Sequence, residues 1–266
     1  MTASVVYAEV VAKGCTVELY LNRIPLGRID PERMPHLEIA VSEFLLDGVN
    51  ELAMIVEPGP TPSTALANPM PAPTDGKLAA ARLARYRPDE FVGGEGGVTL
   101  MELGWEPKTP EPQPRLLTRR ADLGPQFGRW GWQDAPVLTL DRQLASETGD
   151  LLRRLHQAMA AGDGRGVTML LSPAYHDLSR AYPRPPNAWA EGFETFMARV
   201  SRQPEWRMQP LDPARVDFRL VAGGHMLECI DKDWQPTLRT EPLADGMPFT
   251  LPVFLARLNG RLAVVR

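Results

Sequence analysis

The sequence predicts two domains: an all-β sandwich, then an α+β domain with three helices on a curved antiparallel sheet. Three observations predict this. Between residues 5 and 105, apolar side chains alternate with period two between short turn signals, as in half-buried antiparallel strands. From Leu140 the period changes to that of amphipathic helices. After Trp206 the period-two runs return, punctuated by Gly223-Gly224 and Asn259-Gly260, both suited to the positive φ of tight hairpins. The division falls at 1–138 and 139–266, and 266 residues suffice for two domains.

The first domain opens with a strand over residues 5–11. Val17, Leu19 and Leu21 then share one strand face, and Leu19–Gly27 reads as strand, tight turn, strand, with Asn22 able to take the left-handed conformation. Leu37, Ile39 and Val41 mark the next strand. Asp47-Gly48-Val49-Asn50 is a turn, after which Leu52, Met54 and Val56 alternate. Residues 78–86 carry helix-favouring alanines but lie between proline-rich stretches; the strand reading is preferred over the helix. Residues 97–105 form a strand, and 127–132 are expected to close the sandwich with Trp130 and Trp132 on one face.

In the second domain, Leu144, Leu151, Leu152, Leu155 and Met159 mark one helix, which Gly162 and Gly164 end. Val167, Leu170 and Leu171 begin a second stripe, and Ser172-Pro173 restarts a helix toward Tyr182, stopped by Pro183, Pro185 and Pro186. Trp189, Phe193, Phe196 and Val200 line a third helix. Strands follow at 206–210, 216–221, 225–231, 248–258 and 261–266.

Composition narrows the function. With 29 basic against 33 acidic residues and a net charge of -4, the chain has no footprint for nucleic acid or an anionic membrane. Cys15 and Cys229 sit in apolar runs and read as buried free thiols. No apolar run reaches membrane-spanning length, and Met1–Glu9 lacks a basic leader; a cytoplasmic location is expected. The 27 prolines are about twice the usual share, and they gather at about 57–77 and 107–114, read as long surface loops. Gly93–Gly97 is glycine-rich but carries Glu95 and leads into a strand, so it reads as a flexible loop and not a phosphate cradle.

Candidate chemistry concentrates in the second domain. His176 and Asp177 are adjacent on a predicted helix, where neighbours diverge by about 100°, so His176 would need a carboxylate from the sheet as its acid–base partner. His225, Glu228, Asp231 and Asp233 lie on or near a hairpin. His225 and Cys229 share strand parity, yet two soft ligands do not make a metal site, and neither metal nor cofactor is expected. Trp130 and Trp132 would serve as a sugar-stacking platform in a carbohydrate-binding sandwich.

Two resemblances accompany these patterns. Leu19–Gly27 followed by Phe44–Val56 resembles the sugar-binding jelly roll of β-galactosidase-type enzymes, through Asn22, Gly27, Gly48, Asn50 and Leu52, with Arg23 where glycine is usual. That resemblance implies a jelly-roll-like scaffold. Residues 141–266 resemble the cone fold of nuclear-transport-factor-two-like and polyketide-cyclase-like (cystatin-like) proteins in element order and end hairpin. It implies a pocket, used by some members for Asp–His acid–base chemistry. The expectation is a non-enzymatic bacterial interaction protein of immunity or adaptor type. Its partner would be a protein, with homodimerisation also open. The alternatives are a small-molecule binder or acid–base enzyme using the C-terminal pocket, or a carbohydrate-binding sandwich.

Overall fold

The computed structural model describes the chain except residues 1–3, 33, 89, 94, 95, 183 and 186. The leader reading at Met1–Ala3, Gly94 and Glu95 of the glycine-rich loop, and Pro183 and Pro186 as helix stops lie outside the described residues. The chain divides into two compact units, Met1–Arg129 and Trp130–Arg266. Residues 130–138, expected at the end of the first domain, thus belong to the second unit.

The first unit contains β1 (Val5–Lys13), β2 (Val17–Leu21), β3 (Ile24–Ile29), β4 (His36–Ala40), β5 (Val49–Val56), β6 (Met70–Ala72), β7 (Leu78–Tyr86), β8 (Val98–Trp105), β9 (Glu111–Gln113) and β10 (Arg115–Asp122). They form two four-stranded antiparallel sheets, β4-β1-β7-β8 and β10-β5-β2-β3, and a two-stranded ribbon, β6-β9. Period two decides the faces: Val6, Ala8 and Val10 of β1 are buried, as are Ala79, Ala81 and Leu83 of β7. Residues 78–86 are therefore a strand, and β7 pairs with β1 along its whole length, from Val5 opposite Tyr86 to Lys13 opposite Leu78. Small alanines on a central strand fit a close-packed interior, which outweighs their helix preference.

The turn between β2 and β3 is built on Asn22 and Arg23, both at positive φ (54° and 64°). Asn22 does more than turn. Its Nδ2 donates to Phe44 O and to Asn50 Oδ1, both at 2.8 Å, and its Oδ1 accepts from Glu51 N at 2.9 Å. Asn50, fully buried, also accepts from Leu46 N and donates to Leu46 O and Gly48 O. Two side-chain amides thus satisfy the backbone of the 44–50 turn and tie it to the β2–β3 turn. Gly27 makes room next door: a Cβ there would sit 2.7 Å from Leu37 Cδ2.

Three expectations for this unit change. Residues 127–132 are not a strand; a short 3-10 turn spans Gly131–Asp134. Residues 115–122 form β10, an edge strand exposed along most of its length, so no apolar alternation announced it. The two proline-rich segments are not independent loops: they pair as β6 and β9, with Pro71 opposite Pro112.

The second unit contains α1 (Arg142–Ala160), α2 (Gly164–Leu170), α3 (Ser172–Ala181) and α4 (Ala188–Val200), then β11 (Val216–Val221), β12 (Met226–Asp231), β13 (Leu238–Pro242), β14 (Pro248–Leu251), β15 (Val253–Leu258) and β16 (Arg261–Val264). Four helices replace the expected three, because the chain bends at Leu171 and Ser172-Pro173 starts a separate helix. Asp141 caps α1 by accepting from Leu144 N at 2.8 Å. The main sheet runs β11-β12-β15-β16, all antiparallel, with β13-β14 as a separate pair. The expected strand at 248–258 splits at Pro252, which has no amide to donate, so β14 pairs with β13 and β15 with β12 and β16. The expected strand at 206–210 makes a single bridge, Met208 to Thr240.

Leu144, Leu151, Leu152, Leu155 and Met159 of α1 and Val167 of α2 pack on Leu227, Cys229, Leu238, Val253, Leu255 and Val264 of the strands in one buried cluster. Among the described residues, no helix is long and apolar enough to cross a membrane.

Two outcomes follow from the asparagine tie. Asn50→Ala leaves buried backbone groups unpaired and should lower unfolding stability by about 3 kcal/mol in urea titrations. Arg23→Gly removes a Cβ from a left-handed position and should raise stability by about 0.5 kcal/mol, since the exposed Arg23–Glu51 contact at 3.7 Å contributes little.

Candidate functional site

The polar residues of the second unit assemble as buried ion pairs. Arg219 on β11 and Glu228 on β12 are opposite each other in register. Nε and Nη2 of Arg219 both lie 2.6 Å from Glu228 Oε2, and its guanidinium sits 5.6 Å from the Trp234 ring centroid. At the end of β12, Asp231 accepts from Arg239 Nη1 at 2.8 Å. Arg239 also donates to Gln209 Oε1 and Pro236 O. Arg215 approaches Asp231 at 3.6 Å and reaches Asp233 at 2.5 Å.

The third assembly joins α3 to the residues after β16. Asp177 is buried and accepts from Arg266 Nη1 at 2.8 Å, with Arg180 Nη1 at 3.8 Å. Both guanidiniums lie over the Trp130 ring, that of Arg180 at 4.7 Å and that of Arg266 at 5.4 Å from its centroid. Cation–π attraction and the carboxylate together compensate the desolvation of two cations.

His176 is exposed on α3, whereas Asp177 beside it turns inward to Arg266, as their helical divergence requires. His225 lies in the turn before β12, with Nδ1 2.6 Å from Ala135 O. Glu228 pairs with Arg219, on the sheet face opposite to the one that carries Cys229 into the helix-packed core. His225 precedes β12 and does not lie on a strand face with Cys229. Trp130 is fully buried and Trp132 nearly so, so neither ring offers a face to a sugar. The second member of each pair, Arg219, Arg239 and Arg266, escaped sequence reading. Only the first left a signal: Arg219 and Glu228 are equidistant from the Gly223-Gly224 turn.

Burial also governs the thiols. It pushes the Cys229 thiol up, helped by the nearby Glu228 carboxylate, and it does the same for Cys15, whose Sγ donates to Leu78 O at 3.3 Å. Both therefore stay protonated near neutral pH and are poor nucleophiles. Among the described residues, no three His, Cys, Asp or Glu side chains converge as metal ligands.

An open cleft of about 340 Å³ lies beside the N-terminus of α1, lined by Val137, Leu138, Leu144, Asp141, Gln143 and Arg257, among others. Arg257 is engaged by Glu147 at 2.8 Å and donates to Gly260 O. The Gln143 amide and Arg257 hold the Glu147 carboxyl below its ordinary range. Elsewhere, large apolar side chains stand in solvent: Phe91 is 93% exposed, Met70 69% and Met247 67%. Phe193, Phe196 and Phe249 form a half-buried aromatic layer with Trp206.

Substitutions separate structural from exposed groups. Asp177→Asn strands the buried Arg266 guanidinium and should cost about 3 kcal/mol, while His176→Ala should change stability by less than about 0.5 kcal/mol, both read from urea melts. Ellman's reagent at pH 8 should leave the native chain unlabelled and titrate both thiols once urea unfolds it; rapid native labelling would contradict the burial of Cys15 and Cys229.

Compared with known proteins, the chain matches no family model, no curated protein and no solved structure.

Proposed function

We propose that this chain works by binding another protein, in the manner of an immunity or adaptor protein. The observation that carries this reading is the disposition of its side chains. The acids that could serve catalysis, Asp177, Glu228 and Asp231, are each joined to a buried arginine, while Phe91, Met70, Met247 and Val98 are left in solvent. In this reading the first unit is a jelly-roll-like sandwich serving as scaffold. The second is a cone-type α+β domain whose interior is filled by α1 and the sheet instead of left open.

A second reading draws on the cleft lined by Val137, Leu138, Leu144 and the polar groups beside them, which suits a small molecule. Native purification of the tagged chain, followed by native mass spectrometry, tests both readings. A heteromeric complex of fixed stoichiometry is expected. A monomer carrying one small molecule per chain would sink the first reading in favour of the second.

A further inference from the structure

The last hairpin turns on Asn259-Gly260, and the chemistry of that dipeptide exceeds its role as a turn. β15 and β16 close on the pair Leu258 opposite Arg261, and the two residues between them both take positive φ, 50° and 77°. That is the type I′ loop. Both residues are exposed. Among the described residues, neither the Asn259 side-chain amide nor Gly260 N has a hydrogen-bond partner. The other four asparagines each differ in one decisive respect. Asn22 and Asn50 are buried with their amides bonded. Pro69, after Asn68, has no N–H. Beyond Asn187, Ala188 N donates to Pro185 O, and the Asn187 amide itself donates to Glu191.

From this arrangement we infer that Asn259 is a site of spontaneous deamidation and that the β15–β16 hairpin gates it. The chemistry needs only water. Gly260 N loses its proton and attacks Asn259 Cγ; the N–Cγ bond forms, the Cγ–Nδ2 bond breaks, and ammonia leaves with that proton. Water then opens the cyclic imide at either carbonyl, giving aspartate or, with the chain rerouted through the side-chain carbon, isoaspartate. Glycine leaves the attacking nitrogen unhindered, since no Cβ stands beside it. The closed turn withholds the reaction. A type I′ loop mirrors type I, so ψ at Asn259 is about +30°, which sets Cβ and Gly260 N on opposite sides of the Cα–C bond. The ring closes only when the turn opens. Arg257 resists opening, because its Nη1 donates to Gly260 O at 3.1 Å while its Nη2 holds Glu147 of α1 at 2.8 Å. Isoaspartate adds a backbone atom to a two-residue loop and frees a carboxylate beside Arg257. The turn can no longer close in its I′ form, and Arg257 gains a rival to Glu147. The modification records an opening of the hairpin and makes it permanent.

Peptide mapping by mass spectrometry, after incubation of the full chain in oxygen-18-labelled water, tests this against the same chain unfolded in urea. The expected result is label at position 259 ahead of positions 22, 50, 68 and 187, entering the native chain at least about tenfold more slowly than the unfolded one. Arg257→Ala should raise the native rate by about threefold or more. Where that variant melts early, sub-denaturing urea added to the unsubstituted chain is read in its place and should raise the rate in the same way. The labelled fraction should contain isoaspartate, detected by enzymatic carboxyl methylation, and should melt below the unlabelled fraction. Earlier label at another asparagine would overturn the site. Equal rates in the native and unfolded chains would overturn the gate, as would a native rate unmoved by both Arg257→Ala and sub-denaturing urea. Absence of label at 259 from the native chain and from Arg257→Ala, once the unfolded chain is fully converted, would overturn the proposal as a whole.

Discussion

The architecture of the first unit depends on two buried amides. Asn22 and Asn50 are 28 residues apart, yet their side chains bond to each other and to the backbone of Phe44, Leu46, Gly48 and Glu51. The tie lies where β2 ends and β5 begins, next to the pair Leu21 opposite Leu52. It thereby sets the register of two adjacent strands whose core residues, Leu19, Leu21, Leu52, Met54 and Val56, are all fully buried. A slip of one residue would send that whole set to the other face. Burial of polar amides is tolerated because each donor and acceptor finds a partner, and the same low-dielectric setting penalises any rearrangement that breaks them. The hydrophobic effect supplies driving force here, and the asparagines supply uniqueness.

The second unit reaches uniqueness by charge. Three arginine–carboxylate pairs connect β11 to β12, β12 to β13, and α3 to the chain after β16. Replaced by well-packed apolar groups of the same volume, such pairs would not obviously lose stability. Their geometric demands are stricter than those of a leucine contact, however. Arg219 can meet Glu228 only in the observed hairpin register, and Arg239 must satisfy Asp231, Gln209 and Pro236 at once. What looked like a constellation of titratable groups is a set of strand and helix fasteners.

Legibility in the sequence followed the range of the interaction. The β5, β7, α1 and β15 patterns were readable because burial on one face imposes a period that each segment carries by itself. The edge strand β10, exposed on both sides, carries no such period. β6 and β9 were hidden by their prolines, which weaken the ladder from either strand alone but leave Met70, Ala72, Glu111 and Gln113 able to pair. Trp130 and Trp132 were read as a strand face because period-two spacing also fits a short 3-10 turn with both rings buried. In the candidate site, His176 could be set apart from Asp177 by helix geometry alone. The partner of Asp177, 89 residues away, could not be named without the fold.

Proline usage joins these points. A strand that must not pair further needs its amides removed or its edge charged. β10 is charged, with Arg115, Arg119, Arg120 and Asp122 along an exposed edge, whereas the ribbon has its amides removed. The two solutions differ in what they leave for a partner. A charged edge stays solvated and repels apolar contact. A proline face excludes strand addition yet remains apolar, rigid and rich in acceptors. Trp105 Nε1 donates to Glu111 at 3.2 Å and Thr74 Oγ1 donates to Thr109 O across the ribbon's flanks at 2.9 Å, so the ribbon is fastened by side-chain hydrogen bonds in addition to the ladder that its prolines shorten.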